Sequence, residues 1–543
     1  MDHSYFFKAF DAIFSFIGRL FSESAAVKLI TTPVDENKLK ASISVRVILW
    51  FFSLLERWRR VCSIAYENSL FCFLMENLGV LARGSVIAKL FCKAMGIDYE
   101  PPKKSSWHAL ILLIPAAIAI IAAFALFPPL YAFMGVITVT GAAAAFSFPE
   151  AGVVAVAASA PFLPTMVLAA MLGYIAICFL VKLLIDFRYS PVIDITGLLV
   201  IFYSAISLFY GFTSLAPASS LKIALLSVLL MLSYLVAVTL INAKQKLDLC
   251  IFTFCSSAAA TGVYGLYQKL SGKVDTTWVD KSLFSDVSLR IYSTFDNPNV
   301  YGTYLLLAIP ICLVMAFAAS KWFAKIYYFA ISALLIYNLG YTYSRGCYLA
   351  LGFGVLVFIL FMNKRLVTLF FAGLPVILFM LPTSMINRMA SILNMGQGDS
   401  STTYRISIWQ ATLRILKDFW ISGLGQGIEA YNVVYPRYGF SNVTAPHSHS
   451  LYLQIFAETG IFGFLVFIAL ILSFFKIQVP FFTKTRKLKS KMMSAAFMSA
   501  VAAFLVQGIF DYVFYNYRVM LIFFLFLGLA NALVNIRLKG DFC

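Results

Sequence analysis

The chain has 543 residues, of which 61% are hydrophobic and only 12% charged. A soluble fold of that length has too little polar surface to cover so much apolar material, so an ordinary globular domain is excluded and the bilayer is the natural solvent. The formal net charge is +18; with no nucleic-acid-binding signature, this excess reads as basic loops facing anionic lipid, not as a partner for nucleic acid.

Residues 1–106 mix apolar and charged positions and contain no run long enough to span. Phe6, Phe7, Phe10, Ile13, Phe14, Ile17, Leu20 and Phe21 recur at helical spacing beside Lys8 and Arg19, which predicts a helix lying on a membrane surface. The apolar run Val47 to Leu55 is short and is followed by Glu56-Arg57-Trp58-Arg59-Arg60. No small-residue cleavage site follows it, so a signal peptide is not expected. The region 1–106 is therefore read as a cytoplasmic or interfacial amphipathic unit.

From Trp107 onward, apolar runs of about 17–22 residues recur, the length that crosses ~30 Å of hydrocarbon as a helix. They lie near 107–127, 130–147, 150–162, 164–185, 192–211, 221–241, 247–267, 299–319, 324–341, 346–362, 366–382, 451–475, 494–513 and 516–535. The third is short and bounded by prolines, a candidate re-entrant segment. Backbone polar groups in lipid must be satisfied within each segment, so the expected fold is all-α. It is a polytopic membrane bundle of about 12–14 spans, with residues 107–543 as one unit. The nine cysteines form no CxxC pair and read as packing residues, not as a disulfide framework or zinc site.

Charge predicts orientation. With a cytoplasmic N-terminus, the inner loops collect Lys103, Lys104, Lys182, Arg188, Lys244, Lys246, Lys321, Lys325, Lys364 and Arg365, the six basic residues of 476–491, and Arg537 and Lys539. Short outer loops hold only Lys222, Arg345 and Arg518. This bias predicts a multi-pass membrane protein with both termini on the cytoplasmic side. Two loops, 268–298 and 383–450, are too long to be connectors and fall outside the cell. In the second, Thr402 or Thr403 caps a helix running to about Asp418, with Ile406, Trp409, Leu413 and Leu416 as its apolar stripe and Arg414 and Lys417 suiting its C-terminal end. Gly423, Gly425 and Gly427 end it.

Two of the four histidines, His447 and His449, stand together just before a span. Imidazole is suited to proton transfer near neutral pH, here from a sugar hydroxyl arriving from outside. A metal is not expected: His-x-His needs a third ligand, and its loop offers only Asp399, Asp418 and Glu429. Arg345 opens a span and Arg405 the loop helix, where positive charge opposes the helix dipole unless an anion is shared. Arg290 precedes Asn297-Pro298, a cap and first-turn pair. Guanidinium groups hold phosphate bidentately.

In order, these segments resemble the O-antigen ligase and polymerase superfamily. RIYSTFDNPNVYGTYL from Arg290 to Leu305 is similar to its Arg…Gly-Thr-Phe-x-Asn-Pro-Asn segment, and Tyr343-Ser344-Arg345-Gly346 to its Ser-Arg-Gly segment. RISIWQATLRILKDFWISGLGQG from Arg405 to Gly427 resembles its Arg…Trp…Gly-rich segment. His449-Ser450, followed by Gly460 and Gly463, fits its His-[Asn/Ser/Gln]-x9-Gly-x2-Gly pattern. Trp420, Ser293 and Ser450 depart from the residues common there, and none of these departures removes a titrating group.

The resemblance implies a metal-independent, inverting glycosyltransferase without cofactor, acting outside the cell on a glycan linked to undecaprenyl pyrophosphate, with a glycan or lipid-glycan hydroxyl as acceptor. Arg290 and Arg345 are assigned to the pyrophosphate and His449 to the general base. His447, Arg405 and Glu458 are assigned supporting or acceptor contacts. The alternative class is a transporter or flippase for lipid-linked sugars, but transporters carry inverted repeats and mid-membrane charges, and neither stands out in this sequence.

Overall fold

The computed structural model describes residues 41–73, 86–96, 117–122, 124–274, 289–380, 382–390, 400–439 and 445–540, with a few single positions before residue 76 besides. The surface helix expected at Phe6 to Phe21 lies outside the described residues. Those described are helical, with no strand among them. In chain order the helices are α1 (Ile43–Glu67), α2 (Val86–Met95), α3 (Pro129–Ser147), α4 (Pro149–Ser159), α5 (Thr165–Ile185), α6 (Ile195–Phe212), α7 (Pro217–Leu240), α8 (Lys244–Ser271) and α9 (Pro298–Ala318). They continue with α10 (Trp322–Tyr341), α11 (Arg345–Met362), α12 (Leu366–Met380), α13 (Thr383–Ala390), α14 (Ser400–Phe419), α15 (Ile428–Tyr438), α16 (Leu451–Lys484), α17 (Leu488–Phe510) and α18 (Tyr517–Gly540).

Eleven of these are long and apolar enough to cross a membrane. The other three expected runs appear as shorter apolar helices, at 117–126, 149–159 and 366–375. Two of the three still traverse the bundle. At the start of α4, Glu150 pairs with Lys246 at 2.7 Å, beside the first turn of α8. Just beyond its end, Pro161 O accepts from Arg518 Nη1 at 3.3 Å, at the opposite end of the bundle. The segment expected to re-enter thus runs through. Helix α12 returns the chain in the same way: Ser384 Oγ, just past it, meets Tyr343 OH at 3.1 Å.

The centre of the bundle is α9, α17 and α18, whose apolar windows are 83%, 78% and 89% buried, against 17% for α3 and α11. Without a solvent-driven force between helices in lipid, close approach must come from small residues. Helix α17 supplies them as Ala495, Ala496, Ala500 and Ala503, all fully buried. At Gly528 of α18 a Cβ would stand 2.7 Å from the carbonyl oxygen of Tyr234, so only glycine lets α7 and α18 meet there. The outward faces of α3, α10 and α12 keep Tyr131, Phe323 and Phe379 exposed, which lipid would cover.

Residues of the N-terminal region dock at the end that carries the basic residues. The Arg59 guanidinium of α1 donates to the carbonyls of Asp186 and Tyr189 and lies 4.3 Å from the Phe187 ring centroid. Eight of the cysteines are described; all are free, and all but Cys62 are buried.

Candidate active site at one end of the bundle

Arg290 lies in the segment that leads into α9. Its Nε donates to Thr342 O at 2.8 Å and its Nη2 to Asn299 Oδ1 at 3.0 Å. Asn297 caps α9 as expected, accepting from Asn299 N at 2.8 Å and Val300 N at 3.4 Å, with Pro298 in the first turn. Ser293, which departs from the family's glycine, has φ +52, a left-handed backbone that glycine adopts without strain. Here the strain is held by bonds on three sides: Ser293 Oγ to Thr261 O at 2.7 Å, and its N and O to the amide of Gln268.

Arg345 is the first residue of α11, and Ser344 makes no side-chain cap there. Arg345 Nη2 donates to Thr402 Oγ1 at 3.3 Å, tying the helix start to α14. Gly346 sits against Gln507 and Phe510, so α11 begins beside the last turn of α17.

Helix α14 begins at Ser400, earlier than the threonines expected to cap it, which places Arg405 in its second turn and not at its terminus. Its buried stripe matches the expected one only in part: Leu416 is buried and Trp409 half-buried. Ile408, Ala411, Thr412, Ile415 and Leu416 are buried, while Ile406 and Leu413 are 41% and 52% exposed. Two apolar stripes compete on this helix. The one with small residues wins the protein side, because Ala411 and Thr412 admit Tyr431, whose hydroxyl meets Thr412 Oγ1 at 2.7 Å. Ile406 and Leu413 face outward, where a membrane surface would take them, while Trp409 is half-buried against the His449 turn.

Gly423, Gly425 and Gly427 all have positive φ, which glycine alone tolerates without cost. This run does more than stop a helix. Leu424 N and Gly425 N donate to the carbonyls of Ala457 and Glu458 at 2.8 and 3.1 Å. Gly460, φ +58, breaks α16 at that level, and the freed Ile461 N donates to Trp420 O at 2.7 Å. A Cβ on Gly460 would collide with the carbonyl of Ile421. The last two motifs of the sequence are thereby one structural unit.

Above this break lie the histidines. His449 Nδ1 stands 3.2 Å from Asp511 Oδ1, the residue that follows α17. Asn299 Nδ2 donates to the other oxygen, Asp511 Oδ2, at 3.2 Å. A continuous chain of hydrogen bonds therefore runs from Arg290 through Asn299 and Asp511 to His449. His447 Nδ1 accepts the backbone N–H of His449 at 3.2 Å, and the Tyr515 ring stacks on it at 4.9 Å. Tyr404 packs edge-on against His449, and Trp409 Nε1 donates to His449 O at 3.4 Å.

The electrostatics follow from this packing. Burial pushes the Asp511 carboxyl up, but the hydrogen bond and charge of His449, with Arg405 and His447, outweigh it and hold the group well below the usual carboxylate range. For His447, burial and the neighbouring His449 pull the imidazole down to about 4 against the attraction of Asp511, with Arg405 pulling the same way. Among the described residues, four that are not glycine have positive φ: Ser293, Asp296, Tyr343 and His449. All four flank the arginine and histidine motifs, and strain of this kind clusters where geometry is over-determined.

Glu458 sits one level lower in α16. Its Oε1 accepts from Gln454 Nε2 at 2.9 Å, Gly427 N at 3.3 Å and Tyr512 OH at 3.3 Å. Gln454 Oε1 in turn accepts from Ser448 N at 2.7 Å, linking the carboxyl to the histidine turn.

The structure thus gathers Arg290, Arg405, His447 and His449 around Asp511, with Arg345 at the same end on the start of α11 and Glu458 below. Asp511 and Asn299 join the site without being among the residues the sequence motifs single out. Asp511 carried a signal: it is the one acid between Glu458 and Asp541, and a lone ionisable group at a span is functional by default. The apolar run that continues to residue 513 hides it inside an expected span. Asp511 also supplies the third group that the loop lacked for a metal. Ligating atoms of His447, His449 and Asp511 lie within 4.8 Å of one another, a set that a divalent ion could share. In the geometry seen, His447 Nδ1 and His449 Nδ1 are already engaged with a backbone N–H and a carboxylate.

No curated protein matches the chain. A family model described as O-Antigen ligase matches residues 330–468. That window holds Arg345, Arg405, His447, His449 and Glu458, and leaves Arg290, Asn299 and Asp511 outside it. The chain therefore carries an O-antigen ligase-type segment over residues 330–468, in agreement with the resemblance of its motifs, and reads as a membrane enzyme of glycan biosynthesis.

Proposed function

We propose that the protein is a metal-independent, inverting glycosyltransferase of a bacterial cytoplasmic membrane. It moves an oligosaccharide from undecaprenyl pyrophosphate to a glycan hydroxyl on the extracytoplasmic face. The observation that carries this reading is the hydrogen-bonded relay Arg290–Asn299–Asp511–His449. It links a guanidinium and a histidine, through Asn299 and Asp511, at the bundle end opposite the basic loops. The charge bias supports that end as the outer one.

The chemistry needs two things. A diphosphate leaving group takes up negative charge as its bond to the anomeric carbon breaks, and Arg290 and Arg345 offset that charge without a cation. The acceptor hydroxyl must lose its proton as its oxygen attacks. His449 faces Asp511 through Nδ1, leaving Nε2 for that proton, and the carboxylate orients the ring and stabilises the charge it gains. The acceptor oxygen bonds to the anomeric carbon from the face opposite the departing pyrophosphate. The lipid diphosphate leaves with the bonding electrons, and the proton passes from His449 to water.

Glycan chain formation by membranes reconstituted with the purified protein and lipid-linked repeat units tests this. Wild type forms product and His449→Ala does not. Wild-type turnover by His449→Ala would remove the base from the scheme, and failure of wild type on every lipid diphosphate donor would remove the donor class.

A further inference from the structure

Below the histidines lies a second feature that the relay does not use. A cleft, open on one side, is enclosed by α6, α7, α16, the 426–428 turn and the 512–520 segment. Its polar wall is Tyr203, Gln426, Glu458, Tyr512, Tyr515 and Tyr517; Ile223 and Met231 form part of its apolar floor. Tyr203 and Gln426 are each only 5% exposed. Among the described residues the Tyr203 hydroxyl and the Gln426 amide have no hydrogen-bond partner, yet neither is sealed off from the cleft. Both groups therefore reach the cleft interior with their bonding capacity free, where an occupant can take the place of water.

The lining defines that occupant. It contains a carboxyl group and no lysine or arginine, so a phosphate, uronate or other anion is disfavoured. Aromatic faces with a few convergent amide, hydroxyl and carboxyl groups suit a flat polyol with apolar C–H faces. A lipid tail would leave the polar groups unpaired. The cleft also adjoins the relay: Tyr515 lines it and stacks on His447, and Gln454 of its wall bonds both Glu458 and the backbone of Ser448.

We propose that this cleft binds an uncharged hexopyranose ring, held by Tyr203, Gln426 and Glu458 and walled by Tyr512 and Tyr515, and that the ring belongs to the acceptor glycan. Its role as acceptor subsite rests on the glycosyltransferase reading; the sugar site itself does not. The arginines and the cleft then divide the two substrates by charge, diphosphate to one side of His447 and His449 and neutral sugar to the other.

Saturation-transfer difference NMR on the full chain in nanodiscs tests it. The probes are the methyl glycosides of glucose, galactose, mannose, rhamnose and N-acetylglucosamine, with methyl glucuronide as the anionic control. At least one neutral glycoside is expected to receive saturation from wild type and equally from His449→Ala. Gln426→Ala or Tyr203→Phe should each weaken binding by about fivefold, the worth of one hydrogen bond. Tyr203→Phe removes a single oxygen, so it serves if the other variant loses its monodisperse elution profile. No signal above empty nanodiscs, undiminished binding in both variants, or preference for the glucuronide would overturn the proposal. If His449→Ala keeps turnover while these variants lose sugar binding, the base assignment falls and the cleft stands.

Discussion

The imidazole of His449 and the carboxylate of Asp511 meet at 3.2 Å, although 62 positions separate them in the chain. One comes from the turn before α16 and the other from the turn after α17. The carboxylate is fixed on its far side by Asn299, so the pair is held by three separate helices. A base that must point at an incoming hydroxyl gains more from such fixing than from any property of the ring alone.

Asp511→Asn tests that pairing directly. The side chain keeps its shape but no longer stabilises a charged ring, and it can turn its amide donor toward Nδ1. Loss of turnover by a factor of about 10²–10⁴ is expected, the range for general-base machinery. Helix content by circular dichroism should stay at the wild-type level. Turnover within a few-fold of wild type would mean that Asp511 only packs.

Arg290→Lys separates charge from geometry. Lysine keeps the charge but not the planar fork that reaches both Thr342 O and Asn299 Oδ1. The apparent KM for the lipid diphosphate donor should rise by about tenfold or more, since a charge-assisted bond is worth roughly 1.5–3 kcal/mol. Steady-state kinetics against donor concentration checks this, and an unchanged KM would take the pyrophosphate away from Arg290.

His447 makes stability depend on pH. Its folded-state value is lowered to about 4, while an unfolded histidine titrates near 6.5. Between those values the unfolded chain binds a proton that the folded chain refuses. Stability is therefore complete above ~6.5 and falls as pH drops toward ~4, by about 3 kcal/mol at most. The paired Asp511, held low, gives up its contribution only at more acid pH. Thermal midpoints in detergent from pH 7.5 to 4.5 should decline for wild type and decline less for His447→Gln.

Chelation addresses the His447–His449–Asp511 set. The proposed scheme uses these groups for proton transfer, so dialysis against EDTA should leave turnover unchanged. Activity lost to chelation and restored by one divalent metal would convert the cluster into a metal centre.

Gly460→Ala should be among the most damaging changes outside the relay. The position has φ +58 and ψ −170, a region close to glycine-only that costs an L side chain on the order of 1–3 kcal/mol, and the added carbon meets the Ile421 carbonyl. The Gly-rich turn must then lift off α16, lowering the thermal midpoint and abolishing turnover together.

Much of this protein was legible in the order of its residues. The length of an apolar run is set by bilayer thickness, so the spans could be counted with no knowledge of neighbours. Where runs fell short, at 149–159 and 366–380, composition could not say whether the chain crossed; the Glu150–Lys246 pair and the Tyr343–Ser384 bond decided that. The cap at Asn297 and Pro298 was legible because it is local. The buried face of α14 was legible only in part: Leu416 is buried as expected, but Ile406 and Leu413 give way to Ile408, Ala411 and Ile415, because Tyr431 packs there.

By itself, then, the sequence determined an all-helical membrane bundle, a basic side, two long loops, and arginines and histidines on the side opposite. Period, run length and charge bias are short-range quantities that a one-dimensional string carries in full. Only the tertiary structure decided that Asp511 backs His449, that Asn299 joins Arg290 to it, and that a tyrosine-lined cleft opens beneath them. Those relationships join residues 62 and 212 positions apart. They exist because helices pack side by side, which no local pattern along the chain can specify.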